Sequence, residues 1–405
     1  MFMKRKRVIF RVFPFNRFTF PVLLNVWEKA GIDSYFDIVI SEGRVACKEG
    51  DIVVYSFMTP HLPIIAEEIY SLKDKNVLIA AGGSHIDGST ELPLKIGVNI
   101  LFKGFGEESF KQFGNDLISG NIKDGGKTYS RKVKTDLNKY LPFSKYFKMV
   151  PPLEIFRGCL WNCKYCQTGT ADYSFRSMNS IVTFLKGLKE KSFKRVTFIS
   201  PSALEYGSKI PGKPDHSSIS ELLETVASFG FNFFEYGIFP SEIRPGTLDK
   251  ELVKILKKNV TNKWITLGAQ SGSDERLKEL HRGHSTYDVE SDIEIANSYG
   301  FKVNLDFIIG YPDESEDERE KTLSFIRKLS KRYRVKIHLH HFFPLSGSEY
   351  QFRLPTYLKD EDKKNLHKLN NDGIVTGWWE KHEIAVKNYF GWLKDNYPEY
   401  LNNYT

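Results

Sequence analysis

Apolar runs of strand length alternate with helix-period stretches along the first 120 residues. The runs fall at 7–13, 36–40, 51–56, 76–81 and 99–103. Between them, Leu23, Leu24 and Trp27 share a helical spacing that Gly31 stops, and a second such stretch covers 62–72. A short apolar run followed by a 3.6-residue period reads as a βα unit. Repeated at this spacing, it predicts an α/β fold with a doubly wound, Rossmann-like parallel sheet. In such sheets ligands lie beyond the carboxyl ends of the strands. Ser56 and the Gly82-Gly83 pair stand at those ends.

From about residue 121 to 152 the chain turns polar, lysine-rich and irregular. A second series then begins, with strands expected over 153–156, 195–200, 231–238, 264–268, 302–309 and 336–343. Six βα units predict a partial (β/α)6 barrel of the TIM type, whose active site lies at the carboxyl ends of the strands. The tail is helical in pattern and aromatic, with Trp378, Trp379, Tyr389 and Trp392. The expected division is a sheet domain over 1–125, a linker over 126–150, the barrel over 151–350 and a helical extension over 351–405.

Bulk composition narrows the class. At 405 residues the chain exceeds one ordinary core, so two or three domains are expected. Hydrophobic residues at 41% exclude a disordered chain. The net charge of +8 is compatible with an anionic cofactor or nucleic acid, and equally with a solvated lysine-rich surface. The basic start, Lys4 to Arg7, precedes an apolar run that is short and broken by Arg11, so no signal peptide is expected. No apolar run approaches the ~20 residues of a membrane span. The expectation is a cytoplasmic protein without a membrane partner.

The cysteines change the picture most. Only four exist, and three of them, Cys159, Cys163 and Cys166, lie in the stretch GCLWNCKYC after the first barrel strand. Such spacing does not build a disulfide framework. Structural zinc takes four ligands, commonly from two C-x2-C-type pairs, and no second pair exists. A cluster of four irons and four sulfides is held by Cys thiolates, normally four. Three leave one iron open to a substrate.

Cys-x3-Cys-x2-Cys with an aromatic, Tyr165, before the last cysteine resembles the radical S-adenosylmethionine (SAM) enzymes. The resemblance implies a [4Fe–4S] cluster on Cys159, Cys163 and Cys166, with SAM bound through its amino and carboxylate groups at the open iron. One electron, from a donor such as a ferredoxin or flavodoxin, cleaves the sulfonium C–S bond, and the 5′-deoxyadenosyl radical takes a hydrogen from the substrate. The cofactors carry the difficult step and the protein orients them. The strings GAQSG (268–272), RGH (282–284) and D-x-I-x-G-x-P from Asp306 are similar to segments that surround SAM in that family. By that resemblance Tyr165 lies beside the adenine, Glu242 takes the amino group, Arg282 the carboxylate, and Gln270 and Asp306 the ribose hydroxyls. One departure stands out: many members carry Gly-Gly-Glu after the second strand, and here that place reads SPSALEYG (200–207).

A parallel sheet ahead of such a barrel resembles the cobalamin-binding domain of cobalamin-dependent radical SAM enzymes. The resemblance implies that Ser56, Gly82 and Gly83 let a corrin and its nucleotide tail approach the backbone. The loop after the first strand, 13–19, has no histidine that could ligate cobalt; His61 and His85 are the other candidates. Methylthiotransferases, another branch, carry three cysteines for a second cluster in their first domain, and this chain offers only Cys47 there. The leading expectation is therefore a cobalamin-dependent C-methyltransferase. Two alternatives stay open: a radical SAM enzyme without corrin, catalysing rearrangement, cyclisation or sulfur insertion, and a non-enzymatic iron–sulfur protein that senses redox state or binds nucleic acid. The substrate, small or macromolecular, is not written in the sequence.

Overall fold

The computed structural model describes residues 5–44, 46–122, 126–130, 136–170 and 173–405. The chain divides into two compact units: Met1–Pro152 with Leu345–Gln351, and Leu153–Pro344 with Phe352–Thr405.

In the first unit, β1 (Arg7–Arg11), β2 (Asp37–Ser41), β3 (Ile52–Ser56), β4 (Leu78–Gly82), β5 (Ile100–Lys103) and β6 (Lys127–Ser130) form one parallel sheet, ordered β2-β1-β3-β4-β5-β6. The winding reverses between β1 and β3, which makes that edge a topological switch point. Every residue of β3 is buried, as a central strand covered on both faces requires. The core is aromatic. Trp27 is fully buried, stacks on Phe110 at 4.6 Å and donates its indole N–H to the Phe110 carbonyl at 2.8 Å.

Two features of this unit differ from expectation. Residues 127–130, expected within an irregular linker, form β6 along β5. The strand is short and only Tyr129 faces the core, so it leaves no apolar run to read; residues 131–135 of the expected linker lie outside the described ones. The segment Leu345–Gln351, expected within the barrel, packs in this unit. The Ser346 amide donates to Thr59 Oγ1 and its hydroxyl to the His85 carbonyl, both at 3.0 Å. A Cβ on Gly88 would overlap the backbone of Ser346 and Gly347. Gly88→Ala is therefore expected to lift this segment, at a cost of roughly 1–3 kcal/mol. Hydrogen exchange at 345–351 checks it: unchanged protection would contradict the fit described.

The second unit carries β7 (Leu153–Glu154), β8 (Phe156–Arg157), β9 (Ser174–Phe175), β10 (Arg195–Ile199), β11 (Phe233–Glu235), β12 (Trp264–Gln270), β13 (Lys302–Ile309), β14 (Val335–His341) and β15 (Val375–Gly377). Two parallel sheets, β11-β10-β7 and β12-β13-β14-β15, make the partial barrel. A parallel bridge between Ile243 and Leu267 joins them, with the Thr266 amide donating to the Gly237 carbonyl at 2.8 Å. The third barrel strand, expected over 231–238, regularises only at Phe233–Glu235. The tail, expected to be helical, also supplies β15, which pairs along β14. The antiparallel pair β8–β9 closes the neck of the cysteine loop. Among the described residues no helix is long and apolar enough to cross a membrane.

Candidate active site

The cysteine loop leaves the barrel between β8 and β9, and a turn in which the Cys166 amide donates to the Cys163 carbonyl at 2.9 Å tightens it. Cys163 is buried; Cys159 and Cys166 are half-buried. The Cys163 sulfur receives Arg282 Nη1 at 3.5 Å and Arg244 Nη2 at 3.6 Å. Burial pushes the Cys163 thiol up, but the two guanidiniums outweigh it and hold the thiol below its ordinary value. Burial raises Cys159. No three His, Cys, Asp or Glu side chains among the described residues are arranged to hold one metal ion. A cluster asks for something else, since each thiolate binds its own iron and the sulfurs face one cubane rather than one ion. A loop offering three cysteine sulfurs, one of them with its thiol held below the ordinary value by two guanidiniums, has the donor chemistry of a cluster site.

Trp161, inside the C-x3-C spacing, anchors this loop. Its Nε1 donates to Glu205 Oε1 at 2.9 Å, and the Gly212 amide donates to the same oxygen at 2.8 Å. The Arg244 guanidinium lies 4.3 Å above the Trp161 ring, with its Nε 4.0 Å from Glu205 Oε2. Glu205 is 3% exposed. It belongs to the string that stands where Gly-Gly-Glu was looked for, and it is committed to the loop. Neither Trp161 nor Glu205 was singled out from sequence. In the fold Arg244 serves Cys163, the Arg282 carbonyl at 2.6 Å and Trp161. The available signal was the position of the tryptophan between two cysteines.

Around this loop the barrel gathers five of the sequence-expected residues. Arg282 is 6% exposed, and its Nη2 donates to the Gly268 carbonyl at 2.7 Å while its Nε finds no partner. Tyr165 and Tyr311 face one another at 5.8 Å beside it. Gln270 ends β12 after a register shift, with φ +67°. That left-handed conformation is costly for a non-glycine residue and re-aims its side chain, whose Oε1 is buried without a partner. Glu242 and Asp306 meet, carboxyl to carboxyl. Burial, then the Glu242 charge, pushes Asp306 up to about 8; burial raises Glu242 as well. His284, absent from the expected set, is pushed down to about 2 by burial and then by Arg282. Buried polar atoms are normally paired. Here Gln270 Oε1, Asp306 Oδ1, Arg282 Nε, His284 Nδ1 and the Tyr311 hydroxyl lack partners, which fits a site built for a polar cofactor.

The other expected residues lie in the first unit. Ser56 and Gly82 end β3 and β4 in register with each other. Gly83 has φ +100°, and a Cβ there would stand 2.6 Å from the Phe57 carbonyl and 3.1 Å from Ser56 Oγ. This cradle has no room for a side chain. His85 is packed in, its Nδ1 3.2 Å from Thr59 Oγ1, and burial pushes it down to about 3. His61 stacks on Phe15 at 3.5 Å, with Nδ1 buried and unpartnered.

Comparison with known proteins meets this geometry at the cysteines. Residues 153–326 match the family model of the radical SAM superfamily. The segment belongs to that superfamily of enzymes. Membership implies a [4Fe–4S] cluster and SAM. Among curated relatives, a probable threonylcarbamoyladenosine tRNA methylthiotransferase of Methanocaldococcus jannaschii is 31% identical over 212 residues, covering 50% of this chain and 48% of its own. A tRNA-2-methylthio-N(6)-dimethylallyladenosine synthase of Petrotoga mobilis is 26% identical over 320 residues, covering 74% and 68%. The chain spans about half the length of the first curated relatives it matches. In fold it is similar to the radical SAM methyltransferase TsrM from Kitasatospora setae, a structure with cobalamin and a [4Fe–4S] cluster bound. The TM-score is 0.62 at 13% identity, over 86% of this chain and 77% of that one. The radical SAM domain thus holds the three cysteines and all five SAM candidates, while the likeness to TsrM extends over the parallel sheet as well.

Proposed function

We propose that this chain is a cobalamin-dependent radical SAM enzyme that transfers a methyl group to a carbon of its substrate. A [4Fe–4S] cluster on Cys159, Cys163 and Cys166 supplies, when bound, the electron that cleaves SAM, and a corrin at the Ser56, Gly82 and Gly83 edge supplies the methyl carrier. Arg244 and Arg282 favour the thiolate of Cys163 for its iron. Arg282 presents its remaining N–H toward the SAM carboxylate, Gln270 and Asp306 accept from the ribose, Glu242 faces the amino group, and Tyr165 packs beside the adenine. The close-packed barrel and the two tyrosines exclude water from this place.

The observation that carries the reading against sulfur insertion is the cysteine count. Outside the loop there is only Cys47, half-buried and pushed up by burial. A second cluster in the first unit would find one cysteine where three are wanted, although sequence relatives are methylthiotransferases. The two-unit fold similar to TsrM supports the corrin. The test is anaerobic purification with hydroxocobalamin, followed by SAM and a reductant. About one corrin per chain, by absorbance, together with 5′-deoxyadenosine is expected. Formation of 5′-deoxyadenosine without retained corrin would replace this reading by that of a corrin-free radical SAM enzyme.

A further inference from the structure

The meeting of Glu242 and Asp306 raises a question of charge. In the register of β13 and β14, Asp306 stands opposite His338 and Ile308 opposite His340. Strand alternation puts Asp306, His338 and His340 on one face. His338 Nδ1 is 3.6 Å and His340 Nε2 4.0 Å from Asp306 Oδ1, which is buried and makes no hydrogen bond. Asp306 is 9% exposed. Glu242 approaches from the turn after β11 and hydrogen-bonds the Asp306 carboxyl.

The surrounding groups do not neutralise two negative charges. Arg282 is the cation felt by Glu242, and its Nη groups are spent on Cys163 and the Gly268 carbonyl. Burial lowers His338, which Lys336 lowers further; it also lowers His382 and pushes His340 down to about 4. His382 stacks behind His340 at 5.3 Å. Two adjacent carboxylates among neutral imidazoles cannot both ionise at neutral pH, so one proton stays between them.

We propose that Glu242 and Asp306 form a proton-bridged carboxyl pair that exchanges its proton for a cationic ligand, so that SAM enters as the pair loses one H⁺. This rests on the SAM reading given above. The balance is simple: the O–H bond of the bridging carboxyl breaks, both carboxylates become anionic against the sulfonium amino acid, and the proton departs. Nothing is oxidised or reduced. His338, whose side chain is 45% exposed and lies nearest Asp306, is the exit toward solvent.

The test uses the full chain, loaded anaerobically with its cluster, in heavy water. Infrared difference spectra are recorded as SAM is added, with binding followed in the same samples by equilibrium dialysis of labelled SAM. The expected result is loss of one protonated-carboxyl carbonyl band on binding. In Asp306→Asn and Glu242→Gln, each checked for folding by circular dichroism, that loss should vanish. Binding with the band unchanged in the wild type overturns the proposal alone, and so does an equal loss in both variants. Failure of SAM to bind at all overturns both this proposal and the function on which it rests.

Discussion

Cys163→Ala will leave the chain unable to retain a cluster, and its formation of 5′-deoxyadenosine will fall to background. Loss of one of three thiolates frees a second iron corner, and too few ligands remain. Cys163 should also differ from Cys166 in the cluster-free chain. Its sulfur is the acceptor for Arg282 at 3.5 Å and Arg244 at 3.6 Å in a buried pocket, whereas Cys166 receives the Thr168 amide at 3.4 Å. Removing the sulfur leaves two buried guanidinium N–H groups without their acceptor, which costs about 1–3 kcal/mol and more for charged donors. Cys163→Ala is therefore expected to destabilise the cluster-free second unit by ~3 kcal/mol more than Cys166→Ala. Iron and sulfide assay, followed by urea denaturation of the cluster-free forms, measures both effects. Full iron retention in Cys163→Ala would refute the assignment of the loop. Equal denaturation midpoints for the two variants would refute the arginine clamp while leaving the cluster assignment standing.

The second large effect is expected at the glycine that follows Arg282. Gly283 has φ +65°, and a Cβ there would overlap the six-membered ring of Trp161. The ring cannot swing aside freely. It is tied to Glu205 through Nε1 and capped by Arg244. Gly283→Ala pays about 1–2 kcal/mol for the left-handed backbone and about 1–3 kcal/mol for overpacking. A sum of ~3 kcal/mol is on the order of a hundredfold in the equilibrium that closes the loop. Gly212 meets the same ring from the other side with φ +70°, but a Cβ there would stand 3.2 Å away, a contact that a small shift relieves. Gly212→Ala is expected to lose ~1–2 kcal/mol, mostly backbone. Iron content after reconstitution, and SAM cleavage per cluster, should drop steeply in the first variant and mildly in the second. Matching values in the two would show that Trp161 does not govern the loop.

The Trp161 anchor joins residues that are far apart in the chain. The pattern of strands and helices, the barrel following the sheet, and the three-cysteine loop were legible because each depends on neighbours within a few residues. Strand and helix periods repeat locally, and a C-x3-C-x2-C spacing is itself a local geometry. β6 is not legible in the sequence, because an edge strand with one inward residue carries no period. Gln270 was expected at the site, yet its left-handed backbone was not, since that follows from a register shift against β13. Glu205 carries no local signal, because the string around it lacks Gly-Gly-Glu and its partners lie 7 and 44 positions away.

What the sequence by itself determined is the order of βα units and the three-cysteine loop that follows the first barrel strand. Only the tertiary structure decided which charges meet. It put Arg244 and Arg282 on Cys163 across 81 and 119 residues, brought Glu242 against Asp306, and drew Leu345–Gln351 into the first unit. The physical reason is that local patterning fixes which face of each element is apolar. Which buried polar groups end up paired or alone depends on how those faces pack, and no spacing along the chain encodes that.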